Sequence, residues 1–440
     1  MDTLWIALAV FLVTYALISI RGSPRFRVDR ATAALIGAAL MILLGVVTPK
    51  EAIAAINLDI LILLIGMMVL VAGLELCGFF EWVSLRMIKY SKNQFMFLVL
   101  TMVVTGSLSA LVLNDTIVLL FTPIIIRTCR LLKSNPVPFL VGEAIAANIG
   151  SVATEVGNPQ NAYIATTTGI SFLSFSAKLV PVTIVCMAIA IGIMYLVYRK
   201  EIEKGSAQEF RRRILAQGWK TFEEELVKGD EGTTSGYRKM KQRRTGLYAL
   251  LAITAATFIA FVVNHYLDAS IAVIAFVGGI VALFVLPLLS DVKAKEMILG
   301  VDWSIILFFV GLFVVLEGVR QSSLLTDIKD FFPGFKEGQP TISWLTALSA
   351  LLSNLVSNVP AVLLLGQLIP ISQTNLWVAL ASSSTLAGNA TILGAAANVI
   401  VAEKAEAKGV EINFWKFTMV GFPIAVVTLI VSTVMLILFF

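Results

Sequence analysis

Apolar residues run along this chain in long blocks separated by short polar intervals, and block length is the first structural signal. A helix needs about 20 apolar residues to cross about 30 Å of hydrocarbon. Blocks at 4–20, 31–48, 57–78, 137–166 and 172–198 therefore predict five spans. After a polar stretch, blocks at 246–264, 269–289, 303–320, 375–402 and 414–440 predict five more. Two further blocks, 94–128 and 342–370, are too long for one crossing and too short for two crossings plus a turn. Each is polar at its middle: Asn114, Asp115 and Thr116 in the first, Ser357, Asn358 and Pro360 in the second. That pattern predicts re-entrant helical hairpins, which enter halfway and turn back.

Composition agrees with the pattern: 58% of the 440 residues are hydrophobic and only 14% charged, against about a quarter charged in soluble domains. The net charge of +5 does not point to nucleic acid in so apolar a chain, because Lys and Arg placement there records membrane orientation. Residues 4–20 follow Asp2 and precede Arg21, Arg25, Arg27 and Arg30, the reverse of the charge order of a cleavable signal. They read as a retained first span with its N-terminus outside. On that topology the cytoplasmic segments are 21–30, 79–93, 127–136, 199–245, 290–302 and 403–416, and they hold 28 of the 33 Lys and Arg residues. Both flanks of hairpin 94–128 fall on the basic side and both flanks of hairpin 342–370 on the other, so the two enter from opposite faces of a cell (inner or plasma) membrane. Residues 199–245, with 13 basic and 8 acidic residues, read as a cytoplasmic linker; its Arg211–Arg213 run supplies no argument for a partner.

A repeat lies beneath this arrangement. LSALVLNDTIVLLFTPII (108–125) aligns without gaps to LSNLVSNVPAVLLLGQLI (352–369) with nine of 18 positions identical, Asn114 and Asn358 among them. ATEVGNPQNAYIA (153–165) aligns to ATILGAAANVIVA (390–402), sharing Thr154/Thr391, Gly157/Gly394 and Asn161/Asn398. The expected fold is thus all-α and polytopic, two inverted repeats at 1–198 and 246–440, with about ten spans and two hairpins. Each repeat carries one hairpin and one broken span, 137–166 or 375–402. Paired interruptions in inverted halves are the sequence mark of a transporter's binding site.

The chemistry available there is that of helix ends and amides. Backbone that leaves the helix inside a membrane is tolerated only where protein buries it or a watery cavity meets it. The breaks at Gly157, Asn158 and Pro159 and at Gly394 offer positive N-terminal ends and free carbonyls. Asn side chains both donate and accept. Intramembrane acids are costly and functional by default, which singles out Asp115, and after it Glu155, to carry a coupling proton or help bind a coupling cation. Glu75 and Glu317 lie near span ends, where snorkelling explains them, and His265 reads as interfacial. Cys77, Cys129 and Cys186 lie far apart and form neither metal spacing nor a disulfide framework. With one histidine and no nucleophile or acid–base set, an enzyme is not expected, and a channel's continuous polar pore is missing.

LNDTIVLLFTP, ANIGSVATEVGNPQNAYIA, SNLVSNVPAVLLL and STLAGNATILGAAANVIVAE resemble the ion transporter superfamily, in its arsenite-permease and sodium/proton-antiporter branch. The resemblance implies an elevator-type or rocking transporter with the solute held between hairpin tips and broken helices. It places Asn114, Asp115, Thr116, Ser357 and Asn358 in the site, with Thr154, Gly157, Asn158, Asn161, Thr391, Gly394 and Asn398. The dicarboxylate relatives carry Ser-Asn-Thr at both tips; here the tips read Asn114-Asp115-Thr116 and Ser357-Asn358-Val359, and no arginine cluster lies in the motifs. A small oxyacid, neutral or singly charged, such as arsenite, exported by proton exchange, fits these tips best. The alternatives are a sodium/proton antiporter, with sodium at Asn114, Asp115 and Asn158, and a citrate or inorganic anion permease. No cofactor beyond the coupling proton or sodium is expected. The expected partners are the solute, the bilayer and a second copy in a homodimer, with no nucleic acid.

Overall fold

The computed structural model describes residues 3–19, 29–203, 243–267, 269–322 and 341–439. Most of the linker at 199–245, including Arg211–Arg213, and the side chain of His265 lie outside the described residues. Among the described residues the regular elements are all helical. The N-terminal half runs α1 (Thr3–Ser19), α2 (Arg30–Leu43), α3 (Pro49–Ala55), α4 (Leu58–Leu76), α5 (Phe79–Tyr90), α6 (Gln94–Leu111), α7 (Asn114–Leu131), α8 (Val137–Ser151), α9 (Pro159–Thr168) and α10 (Phe172–Glu203). The C-terminal half runs α11 (Arg244–Val262), α12 (Asn264–Leu267), α13 (Ile271–Leu289), α14 (Ala294–Leu299), α15 (Trp303–Gln321), α16 (Ile342–Val356), α17 (Asn358–Gly366), α18 (Thr374–Ala387), α19 (Ala396–Ala407) and α20 (Phe414–Phe439), with two 3-10 turns between α18 and α19.

Both apolar blocks of intermediate length fold as hairpins. In the first, Val112 and Leu113 leave the helix and α7 restarts at Asn114. In the second, Ser357 alone turns the chain, at φ 77° and ψ 161°, a region that side chains other than glycine's rarely enter. The arms are unequal. The first hairpin has 18 residues on each side, whereas the second has 15 and nine. At 1.5 Å per residue each first arm is about 27 Å long, more than a half-crossing requires. The interrupted spans break where glycine and the capping residues sit, at 152–158 and 388–395.

Packing sorts the helices into two units. In one, α4 lies on α13 and α2 on α15, so each half lends its second span to the third span of the other. That exchange is what a two-fold relation between the halves requires. Both crossings depend on glycine: a Cβ at Gly66 would meet the Ala275 carbonyl at 2.4 Å, and one at Gly311 would meet the Ala34 backbone at 2.6 Å. The other unit contains both hairpins and both broken spans, with α6 on α8, α16 on α18, α19 on α7, and the long helices α10 and α20 against each other. Large apolar side chains remain on the outer faces of α10, α13 and α20, including Leu196, Phe284 and Ile430, as lipid contact demands.

Candidate functional site

Four helices begin at one point. The starts of α7 (Asn114), α9 (Pro159), α17 (Asn358) and α19 (Ala396) all line a chamber of about 40 Å³. Each brings the positive end of a helix dipole. Asp115, Gln160, Ser357, Val359 and Ala395 complete this wall. The opposite wall comes from the other unit: Arg30 at the start of α2, with Ile305, Phe308 and Phe309 of α15. The chamber therefore lies on the seam between the two units. It opens into a vestibule of about 320 Å³ that shares Arg30, Asp115, Ile305 and Phe308 and adds Thr116, Glu75, Asp29 and Asp302. A second recess of about 280 Å³, at Asp59, Thr166, Gly169, Asn264 and Ser270, shares no lining residue with either.

Behind the chamber an amide network fixes the tips. Asn114 Nδ2 donates to Asn148 Oδ1 at 3.2 Å, and Asn148 Nδ2 donates to Asn389 Oδ1 at 3.0 Å and Asn398 Oδ1 at 2.9 Å. The first tip is thereby tied to the broken span of the other half. The two breaks are braced alike. Asn161 Nδ2 donates to the carbonyls of Ser151 and Thr154 at 3.0 and 2.9 Å, and Asn398 Nδ2 donates to those of Gly388 and Thr391 at 2.7 and 2.9 Å. All three residue pairs stand at the spacing of the sequence repeat. Each tip also bonds the carbonyl of a matched glycine. The Asn114 backbone N–H donates to Gly157 at 3.0 Å, and the Asn358 amide nitrogen donates to Gly394 and Ser384 at 3.0 Å. No other residue fits at Gly157, where a Cβ would lie 2.4 Å from the Ser151 carbonyl.

The residues proposed from sequence thus separate by position. Asn114, Asp115, Ser357 and Asn358 line the chamber and Thr116 the vestibule. Thr154, Gly157, Asn161, Thr391, Gly394 and Asn398 build the breaks behind it. Asn158 caps α9 through the Asn161 N–H at 2.9 Å and donates to the Ser151 Oγ at 3.1 Å and the Thr385 Oγ1 at 3.3 Å. The three residues assigned to sodium are therefore split between the chamber wall and the brace. Glu155 is fully buried in the first break, and neither carboxyl oxygen has a hydrogen-bond partner. Glu75 faces the vestibule, and Glu317 accepts from Arg320 and Gln321 at 2.7 and 2.8 Å. Among the described residues no group of three His, Cys, Asp or Glu could hold a metal.

Sequence reasoning missed three contributors. The charge pattern places Arg30 in a flanking basic segment; in the structure it enters the chamber, where the Asp115 carboxylate acts on it. An arginine at the first turn of an apolar block, beside the cap Asp29, is the signal that was available. Gln160 reaches the chamber and donates to Thr385 Oγ1 at 3.1 Å. Asn148 hides in the middle of an apolar helix with no repeat partner of its own kind, since Thr385 stands at its matched position.

Comparison with known proteins now decides the family. Residues 15–376 match the family model described as citrate transporter. The chain belongs to this family. Relatives span it nearly end to end: an uncharacterized transporter of Mycobacterium tuberculosis is 30% identical over 98% of this chain and 97% of that protein. The silicon efflux transporter LSI3 of Oryza sativa subsp. japonica is 29% identical over 91% of this chain and 90% of that protein. The putative transporter arsB of Dictyostelium discoideum is 26% identical over 93% and 88%. Among solved structures, that of the Alcanivorax borkumensis YdaH transporter is similar with a TM-score of 0.49 and 15% identity, over 99% of this chain and 96% of that one. The chain is a multi-pass membrane transporter of the ion transporter superfamily.

Proposed function

We propose that this citrate transporter family member moves a small inorganic oxyacid, arsenite foremost, out of the cell in exchange for protons. The observation that carries the reading is the chamber between the tips. Four helix N-termini and Arg30 supply positive potential, Asp115 offsets part of it, and the amide oxygens of Asn358 and Gln160, whose nitrogens donate within the protein, can accept from hydroxyl groups. A neutral or singly charged hydroxylated solute suits that balance. A volume of about 40 Å³ suits a central atom with its oxygens. The names borne by the rice and Dictyostelium relatives, silicon efflux and arsB, lie in the same chemical class.

The vestibule is walled by Asp29, Arg30, Gly300 and Asp302, in segments that the charge pattern assigns to the cytoplasm. On that orientation, with the N-terminus outside, the structure faces inward and the recess at Asp59 and Asn264 faces out. Sliding or rocking of the hairpin unit against the α2–α4–α13–α15 unit carries the chamber from one side to the other. Sodium/proton antiport, with Asp115 binding the cation, is the reading favoured if the solute fails. The test is a proteoliposome assay in which arsenite, silicic acid and citrate are each offered under a pH gradient, a sodium gradient and none. Movement of arsenite or silicic acid driven by the pH gradient supports the reading. Citrate movement alone, or sodium movement without solute, overturns it.

A further inference from the structure

Besides Glu155, one more buried carboxyl lies inside the hairpin unit, outside the chamber and every vestibule residue described above. Glu143, in the middle of α8, is fully buried. Its Oε2 accepts from Thr122 Oγ1 of α7 at 3.0 Å, and its Oε1 has no hydrogen-bond partner. No basic side chain is bonded to it among the described residues. The helices packed on α8 offer little else that titrates. α6 and α18 carry no ionisable residue along their whole length. α7 brings the buried thiol of Cys129 beside it, Asp115 at the chamber, and Arg127 and Arg130 toward the other end. α10 brings Cys186, bonded to the Thr428 carbonyl, with its charges near the ends from Lys178 to Glu201; α19 carries Glu403, Lys404 and Glu406 in its last turns.

We propose that Glu143 is a proton-carrying site of the transport cycle, distinct from the solute chamber and linked to it through the α7–α8 interface. The inference rests on the reading of the protein as a proton-coupled transporter. A bare carboxylate in such surroundings is prohibitively costly, so the group holds its charge-neutralising proton in this conformation. The link is structural. α7 and α8 are joined by two polar contacts, Asn114 to Asn148 at the chamber and Thr122 to Glu143 further along. Asn114 also lines the chamber, so solute that displaces the first tip shifts α7 along α8 and draws Thr122 off Glu143. One proton then passes between the Glu143 carboxyl and water, with no bond made to the solute.

The test uses the full-length protein in vesicles with arsenite and an internal pH dye. Glu143→Gln should keep arsenite-for-arsenite exchange, which carries no net proton. It should reduce the proton flux accompanying net arsenite movement by about 100-fold, the low end of what a placed proton-transfer group contributes. A wild-type proton-to-arsenite ratio in Glu143→Gln overturns the proposal. Infrared spectra of the purified protein supply a second readout. Buried Glu155 should give a protonated-carboxyl band at neutral pH as well, and a second such band should be present, shift in Thr122→Val and be the one lost in Glu143→Gln. If the glutamine variant does not fold, a wild type without that band overturns the proposal, and a band that shifts in Thr122→Val supports it. A wild type that moves no arsenite yet shows the band loses its solute assignment and keeps its proton site.

Discussion

The two halves share their bracing and differ in their charges. Asn161 and Asn398 hold matched carbonyls with matched geometry, and Gly157 and Gly394 both meet backbone that leaves no room for a side chain. The acids are not duplicated. Asp115, Glu143 and Glu155 all belong to the first half, and the repeat sets Val359, Leu380 and Ile392 opposite them. The second half answers with hydroxyls: Ser357 at its tip, and Ser382, Ser383, Ser384 and Thr385 buried along α18. Duplication has kept what an interrupted membrane helix needs to be stable, because both breaks strand the same backbone groups. Ion chemistry needs only one carboxyl per proton, and a second copy would double the desolvation cost. In this account the first half handles the ion, and the solute touches both.

The sharpest way to break that division is at the tips. Asp115→Asn should lower gradient-driven solute movement by about 100-fold, on the order of 3 kcal/mol, as expected for loss of a charged contact. Val359→Asp, which places the acid on the other tip, should not restore it in that background. Vesicle flux assays of the single and double variants check both, and rescue by the transplanted acid would break the asymmetry. The bracing should behave oppositely. Asn161→Ala and Asn398→Ala each leave two buried carbonyls without their donor, and each should cost about 1–3 kcal/mol. Thermal unfolding in detergent should show a loss for each, the larger for Asn398→Ala because Asn398 Oδ1 also accepts from Asn148 Nδ2, and a loss confined to one half would contradict shared bracing. The smallest effect is expected at Ser357. Glycine relieves its positive φ, so Ser357→Gly should stabilise the protein by about 1 kcal/mol while removing one hydroxyl from the chamber.

Much of this was legible in the chain before any coordinates. Block length separated hairpins from spans, because a polar Asn114 or Asn358 in the middle of an apolar run has no place in an ordinary crossing. The repeat named the breaks, because the glycines and asparagines that brace stranded carbonyls come in pairs. What stayed hidden were residues whose role depends on the other unit. Arg30 reads as one more orienting charge until α2 is seen to deliver it against the tips. Asn148 and Glu143 sit inside an otherwise apolar helix, and nothing local says that the first reaches across to Asn389 and Asn398 or that the second meets Thr122. Periodicity reports which face of a helix is apolar, but not which polar atom waits on the facing helix. The unequal hairpin arms were likewise unreadable, since apolar blocks of similar length can divide at different points.

The central claim is that solute sits in the chamber between Asn114 and Asn358, and its volume of about 40 Å³ makes it easy to fill. Val359→Phe adds a ring to that wall and substitutes neither a residue of the amide network nor an acid. Arsenite counterflow in proteoliposomes, measured for this variant and the wild type at matched protein content and unfolding temperature, is the direct measurement. The account predicts counterflow in the wild type and its loss in Val359→Phe. Counterflow at the wild-type rate in the filled chamber would place the solute elsewhere and contradict it.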